Sequence, residues 1–245
     1  MQSKATPGRQ PWDTRPHDPL SSPSPPTPLP SAHVTWYIPP EWTPTLYTAL
    51  APFYDGFAQR VSREARRRAT ELLNVQDGDA VLIAGCGTGL SIPLLPNKRP
   101  AVRITGVDRS KAMLRRARRR ATGKPNVTLQ QADILSLPFE TGSFDAILSA
   151  YVLDLLRPPR RVDALHEMKR VSKPGARIVT ITPALPERAD ERLWDLLVRA
   201  VPIALGGGKP TDLTTALQNA GWQVAESLRT RNVGLASHLL RAVHV

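Results

Sequence analysis

Three glycines stand at alternate positions in Gly85-Cys86-Gly87-Thr88-Gly89, directly after the apolar run Val81-Leu82-Ile83-Ala84. An aspartate, Asp108, follows 19 residues beyond Gly89. Glycines at the carboxyl end of a strand let backbone approach a ligand closely, and a helix opening at Leu90 would offer it free N–H groups. A carboxylate at the tip of the following strand can accept hydrogen bonds from both hydroxyls of a ribose. The dinucleotide fingerprint spaces its glycines G-x-G-x-x-G/A, whereas Leu90 occupies the sixth place here, which argues against NAD or FAD. No Lys-Ser/Thr follows at the distance a Walker loop requires. A glycine-rich turn and an aspartate that merely caps the Ser110 helix would explain each feature alone. Their joint placement in a strand–loop–helix–strand frame favours a nucleoside site.

Other reactive residue types form no set. Cys86, the single cysteine, lies inside the glycine loop with no histidine nearby, and a small residue is wanted there sterically, so it reads as a backbone-contact position and not a nucleophile. His166 falls within a helical pattern and reads as a surface or packing residue. No Ser-His-Asp set or metal-ligand cluster is evident. One cysteine also excludes an internal disulfide framework and a cysteine-based zinc cluster.

The elements that must position the glycine loop alternate. Phe53, Phe57, Val61, Ala65, Ala69 and Leu72 recur at helical spacing from a Thr43-Pro44 start to about Leu73. Asp77-Gly78-Asp79 turns into a strand, Ala80–Ala84. Strands are expected at Val102–Val107, Val127–Gln130, Phe144–Ala150 and Arg177–Thr182. Helices are expected at Ser110–Ala121, Arg161–Val171 and Ala189–Val201. This order implies an α/β fold, a Rossmann-like, doubly wound and mostly parallel sheet of seven strands. After a helix at Leu213–Ala220, the strands Trp222–Leu228 and Ser237–Val245 have too short a link for a crossover, so they pair antiparallel.

At 245 residues the chain suits one sizeable α/β domain, and no apolar run is long enough to cross a bilayer. The net charge is +12, and twelve of the 25 prolines precede residue 45. Residues 1–35, rich in proline and serine and poor in aliphatics, read as a disordered tail. Residues 36–79 read as a helical cap and 80–245 as the nucleoside-binding domain. The tail lacks the apolar centre of a secretory signal, so the expected location is cytoplasmic, with peripheral contact to an anionic membrane.

Further motifs fall in order after the loop: Gly106-Val107-Asp108-Arg109-Ser110 with Met113-Leu114, Gln131-Ala132-Asp133, Leu137-Pro138-Phe139 with Gly142-Ser143-Phe144-Asp145, and Val171-Ser172-Lys173-Pro174-Gly175. From about Tyr54 onward the chain resembles the class I S-adenosylmethionine-dependent methyltransferases. Tyr54-Asp55 with Arg66-Arg67-Arg68, Gly89-Leu90-Ser91-Ile92-Pro93-Leu94-Leu95-Pro96 and Ala220-Gly221-Trp222-Gln223-Val224 with Gly234-Leu235 are similar to the branch containing bacterial phosphatidylethanolamine N-methyltransferases. The quinone-biosynthesis methyltransferases are near relatives of that branch. The resemblance implies S-adenosyl-L-methionine as cofactor, its methionine end held by Ala84, Gly85, Cys86, Gly87 and Gly89. It implies Asp108 at the ribose, Arg109 and Met113 beside the adenine, Asp133 at the adenine amino group, Ile134 against the ring and Ser149 lining the pocket. Tyr54 and Tyr151 are the substrate-side candidates. The chain departs from the family at Ile83, where an acidic residue is common, and at Ala176, where a second glycine is usual.

Methyl transfer from a sulfonium needs alignment and exclusion of water more than a dedicated base, so the absence of a catalytic triad or metal set is expected. The acceptor classes in order of preference are a phospholipid amine and a quinone-like or other small molecule methylated on carbon or oxygen. A non-catalytic binding subunit of the same fold is the alternative from another class, and Ile83 is the feature that favours it. Arginines cluster at 60–68, 115–120 and 157–161. Solvated helix faces explain most of them. Beyond that, lipid headgroups suit the surface better than nucleic acid, for which no recognition module is present.

Overall fold

The computed structural model describes residues 43–96, 101–189, 191–192, 209–232 and 235–245. The expected tail, the start of the expected helical cap and most of the helix expected over Ala189–Val201 lie outside these residues, as does Gly234.

The chain opens with a long helix, α1 (Thr43–Leu73). Val61, Ala65, Ala69 and Leu73 recur every four residues and are all buried, so one narrow stripe faces the sheet. Leu73 takes the buried place expected of Leu72, which is only partly covered. Then come β1 (Ala80–Ala84), β2 (Arg103–Asp108), α2 (Lys111–Ala121), β3 (Val127–Gln131), β4 (Phe144–Ala150), α3 (Pro158–Val171), β5 (Ser172–Pro183), α4 (Thr214–Asn219), β6 (Trp222–Asn232) and β7 (Leu235–His244). They form one seven-stranded sheet in the order β3-β2-β1-β4-β5-β7-β6. Pairing is parallel from β3 through β5, while β7 runs antiparallel to both β5 and β6.

Each sheet face carries its own core. On one, Ala65, Ala69 and Leu73 of α1 and Leu114 and Ala117 of α2 cover Val81, Ile83, Ala146 and Leu148. On the other, Ala164, Leu165 and Met168 of α3, with Leu213 and Leu217 around α4, cover Leu82, Ile147 and Ile178. The alternation of neighbours between the two faces explains why β1 and β4 read as near-continuous apolar runs.

Several expected boundaries shift, among them that of β5, which starts at Ser172 and not at the expected Arg177. No α-helix follows the glycine loop among the described residues. Leu90 lies in a turn leading to a single 3-10 turn, Ile92–Leu94, because Pro93 and Pro96 supply no amide to continue an α-helix. Helix α3 starts three residues before the expected Arg161, with Pro158 at its opening position, where proline is favoured. The strands β6 and β7 extend beyond the expected limits. Their antiparallel ladder carries Arg229, Thr230, Arg231 and Asn232, which periodicity alone does not mark as strand.

Candidate active site

The register sets the tips of the central strands side by side. Ala84 pairs with Val107, so the glycine loop leaves β1 level with Asp108 at the end of β2. Ile83 pairs with Leu148, so Ser149, Ala150 and Tyr151 leave β4 beside the same loop. In open α/β sheets, ligands bind beyond these carboxyl ends. The expected site residues Ala84, Gly85, Cys86, Gly87, Gly89 and Asp108 are thus brought together.

Much of the loop's hydrogen bonding is internal. The Cys86 amide donates to Val107 O at 2.7 Å and the Gly89 amide to Cys86 O at 2.9 Å. The Gly87 amide donates to Asp108 Oδ2, and the Ser110 amide to Asp108 Oδ1, each at 2.8 Å. These amides shape the loop and do not stand open to a ligand. Burial raises the Asp108 carboxyl above its ordinary range, and the two amides and Arg109 partly offset this. Each oxygen, holding one amide, retains lone pairs for a further donor.

Two glycines are dictated by close approach. Gly85 has φ +72°, and a Cβ there would stand 2.4 Å from Val152 Cγ2. Gly89, at φ +83°, lies against α2, and a Cβ would fall 3.0 Å from Ala117 Cα. By contrast, a Cβ at Gly87 would meet no atom within 4 Å, which leaves that face of the loop open. Cys86 packs over β2, where a Cβ at Gly106 would sit 3.3 Å from its Sγ. Burial, with Asp108 adding to it, drives the Cys86 thiol far above its ordinary range, so it is not a reactive thiol.

Arg109 and Asp133 face each other, with Nε 3.5 Å from Oδ2, and both are partly exposed. Asp133 Oδ1 also accepts from the Leu135 amide. Ile134 and Met113 are buried, and the Met113 amide donates to Ser110 Oγ, which caps α2. Ser149 is 1% exposed and its hydroxyl has no hydrogen-bond partner. Tyr151 adopts φ +58°, an uncommon conformation for a non-glycine residue. Its phenol lies 2.8 Å from Ser237 Oγ. Tyr54 falls in α1, and its side chain lies outside the described residues. Ile83 is buried in the core beneath α1, and His166 is exposed on α3.

Two arginines that the sequence presents as solvated helix positions brace the loop. Arg66 of α1 donates to Ser91 Oγ at 2.9 Å and places its guanidinium 5.2 Å from the centroid of the Tyr151 ring. Arg120 of α2 donates to the Thr88 carbonyl at 2.6 Å. The sequence held no signal that singled them out among their neighbours.

An open glycine face, a carboxylate fixed by two amides and an unpartnered buried hydroxyl together suit a ligand that brings hydroxyl and amine donors. No group of His, Cys, Asp and Glu suited to a metal ion occurs among the described residues.

Residues 81–175 match a family described as a methyltransferase domain. The chain is 35% identical over 131 residues to the phosphatidylethanolamine N-methyltransferase of Cereibacter sphaeroides, covering 52% of this chain and 62% of that protein. It is 31% identical over 173 residues to the ubiquinone/menaquinone biosynthesis C-methyltransferase UbiE of Geobacter sulfurreducens, covering 66% of each. The chain therefore spans under two thirds of the length of either relative. Among solved structures, a SAM-dependent methyltransferase from Aquifex aeolicus superimposes with a TM-score of 0.60 at 20% identity, covering 82% of this chain and 98% of that one.

Proposed function

Because the chain belongs to the class I S-adenosylmethionine-dependent methyltransferases, we propose that it transfers a methyl group from that cofactor to the amine of a phospholipid headgroup. The observation that carries the cofactor assignment is the convergence of Asp108 and the glycine loop at the tips of β1 and β2. Asp108 takes the ribose hydroxyls with the lone pairs that Gly87 and Ser110 leave free. Gly87 gives the ligand its open face. Asp133 and Arg109 flank the adenine, with Ile134 and Met113 as the apolar floor, and Ser149 gains a partner for its hydroxyl.

When bound, S-adenosylmethionine supplies an electrophilic methyl on a sulfonium, with a neutral thioether as leaving group. The chain's task is to hold the acceptor nitrogen in line with the carbon–sulfur bond and to keep water away. Tyr151 and Tyr54 are assigned to the acceptor side. Arg66 holds the Tyr151 ring against α1, which fixes one wall.

Similarity to the phosphatidylethanolamine N-methyltransferase supports the lipid amine. The similarity to UbiE supports a quinone-like acceptor as the second reading. The exposed cations of α1 and α2 support peripheral contact with an anionic membrane. No helix among the described residues is long and apolar enough to cross one. Incubation with S-adenosylmethionine labelled in its methyl group and a total lipid extract tests the proposal. Label in phosphatidylethanolamine products is expected, label in a quinone moves the assignment to the second reading, and a protein that gives no heat with the cofactor refutes the enzyme.

A further inference from the structure

Few buried side-chain polar atoms among the described residues lack a hydrogen-bond partner: Asn126 Oδ1, Arg177 Nε, Ser149 Oγ and both carboxyl oxygens of Asp154. Buried polar groups are nearly always paired, so each exception calls for an explanation. Asn126 and Arg177 keep other bonds, through Nδ2 to the Val102 carbonyl and through Nη2 to Asp79. The Ser149 hydroxyl has none, and the Asp154 carboxyl is met only by its own backbone amide. They lie five residues apart on the segment that leaves the carboxyl end of β4.

That segment is tied to the glycine loop. Val152 fills the space over Gly85, and the Tyr151 amide donates to Ile181 O at 2.8 Å, which holds the chain at the strand tips. Asp154 follows two residues later, in the 3-10 turn Leu153–Leu155, and is 3% exposed. The opposite charge that acts on it is Arg161. The Arg161 Nε atom is committed to the carbonyls of Leu153 at 3.1 Å and Leu156 at 2.9 Å, so it closes the turn, and no ion pair joins it to the carboxyl. Among the described residues, Asp154 is thus a buried carboxyl that no other residue's donor meets, carried by the turn that borders the loop.

Leaving a buried carboxyl with no donor from another residue is strongly unfavourable in apolar surroundings. An amine offers what is missing, N–H donors and, when protonated, a positive charge. A quinone carbonyl offers neither. We propose that Asp154 is the acceptor-recognition residue, its carboxyl taking hydrogen bonds from the N–H groups of the amine that receives the methyl. This rests on the phospholipid-amine reading above. Burial lifts the carboxyl to about 7, so near neutral pH it titrates readily between a form that accepts hydrogen bonds from the amine and a form that holds its proton.

The test compares wild type, Asp154→Asn and Asp154→Leu in methyl transfer to phosphatidylethanolamine in mixed micelles, beside calorimetric titration with S-adenosylmethionine. Expected are unchanged cofactor affinity and a loss in kcat/KM for the lipid of roughly tenfold or more, carried mainly by KM, as for a lost hydrogen bond to a charged group. The leucine variant, which needs no polar partner, keeps the test valid if the asparagine variant folds poorly. Wild-type kcat/KM in either variant overturns the proposal. Failure of the amine reading shows separately, as wild-type protein that binds the cofactor yet methylates no phosphatidylethanolamine. Asp154 is then decided by dicyclohexylcarbodiimide, an apolar reagent for protonated carboxyls. Adduct formation at Asp154 in the folded, cofactor-bound protein supports a carboxyl facing the acceptor cleft, and an unmodified Asp154 overturns it.

Discussion

Asp108 Oδ2 accepts a hydrogen bond from the Gly87 amide at 2.8 Å, which ties the tip of β2 to the middle of the loop leaving β1. The same carboxylate holds the Ser110 amide through its other oxygen. One side chain therefore sets the loop, starts α2 and presents its remaining lone pairs to the cleft.

Replacing it separates those roles. Asp108→Ala leaves two amides without their acceptor, an expected loss of about 1–3 kcal/mol of stability, and removes the ribose partner. Calorimetry with S-adenosylmethionine should turn flat for this variant while a cooperative melt persists at lower temperature. Undiminished heat of binding would show that Asp108 serves the loop alone.

The glycine loop makes a prediction that needs no ligand. Gly85→Ala forces a Cβ into Val152 and a side chain into φ +72°. Gly87→Ala meets only the left-handed penalty at φ +55°. That penalty is roughly 1–2 kcal/mol, and forced overpacking adds about 1–3 kcal/mol. Urea unfolding should therefore rank Gly85→Ala as clearly the less stable, and Val152→Ala introduced beside it should recover part of the difference. Equal midpoints for the two alanine variants would contradict the packing of Val152 on the loop.

How much of this was legible beforehand depended on whether a residue's role is local. The loop, Asp108 and β4 were readable because glycine punctuation and apolar runs are local signals. Ser110 capping α2 is equally local. The absence of an α-helix just after Leu90 is legible in Pro93 and Pro96, and the early start of α3 in Pro158. The bracing roles of Arg66 and Arg120 were not readable, since reaching Ser91 and Thr88 depends on how α1 and α2 dock, 25 and 32 residues away in sequence. Asp154 looks like an ordinary polar residue in Leu153-Asp154-Leu155-Leu156, and only packing reveals that no other residue's donor meets its carboxyl. The long arms of β6 and β7 were hidden because their pairing, and not their composition, extends them.

Burial of Asp154 gives the fold a pH dependence of defined sign. Its carboxyl is raised to about 7 in the folded protein, against roughly 3.9 in an unfolded chain. Unfolding therefore releases a proton between these values, and the contribution of this group to stability is fully present below about pH 4 and is lost as pH rises to 7. Thermal melts of wild type and Asp154→Asn across pH 4–8 should show the variant gaining on the wild type through this window and the difference levelling off above it. A constant difference would mean that the carboxyl is solvated or paired.

The charge of the helices can be apportioned by where each arginine's partner lies. Arg67 and Arg68 form ion pairs with Glu64 and Glu71 on α1, which offset their charge locally. On α2, Arg115, Arg118 and Arg119 are exposed, and the helix contains no acidic residue. If an anionic bilayer is the docking surface, α2 contributes more than α1, each cation near the surface strengthening partition roughly fivefold. Sedimentation with phosphatidylglycerol-containing vesicles should fall steeply for Arg115→Glu/Arg118→Glu/Arg119→Glu and only slightly for Arg67→Gln/Arg68→Gln. Wild-type binding should weaken between low and physiological salt as the field is screened. Equal losses for the two sets would shift the contact to α1, and a wild-type protein left in the supernatant at low salt would remove the membrane from the mechanism.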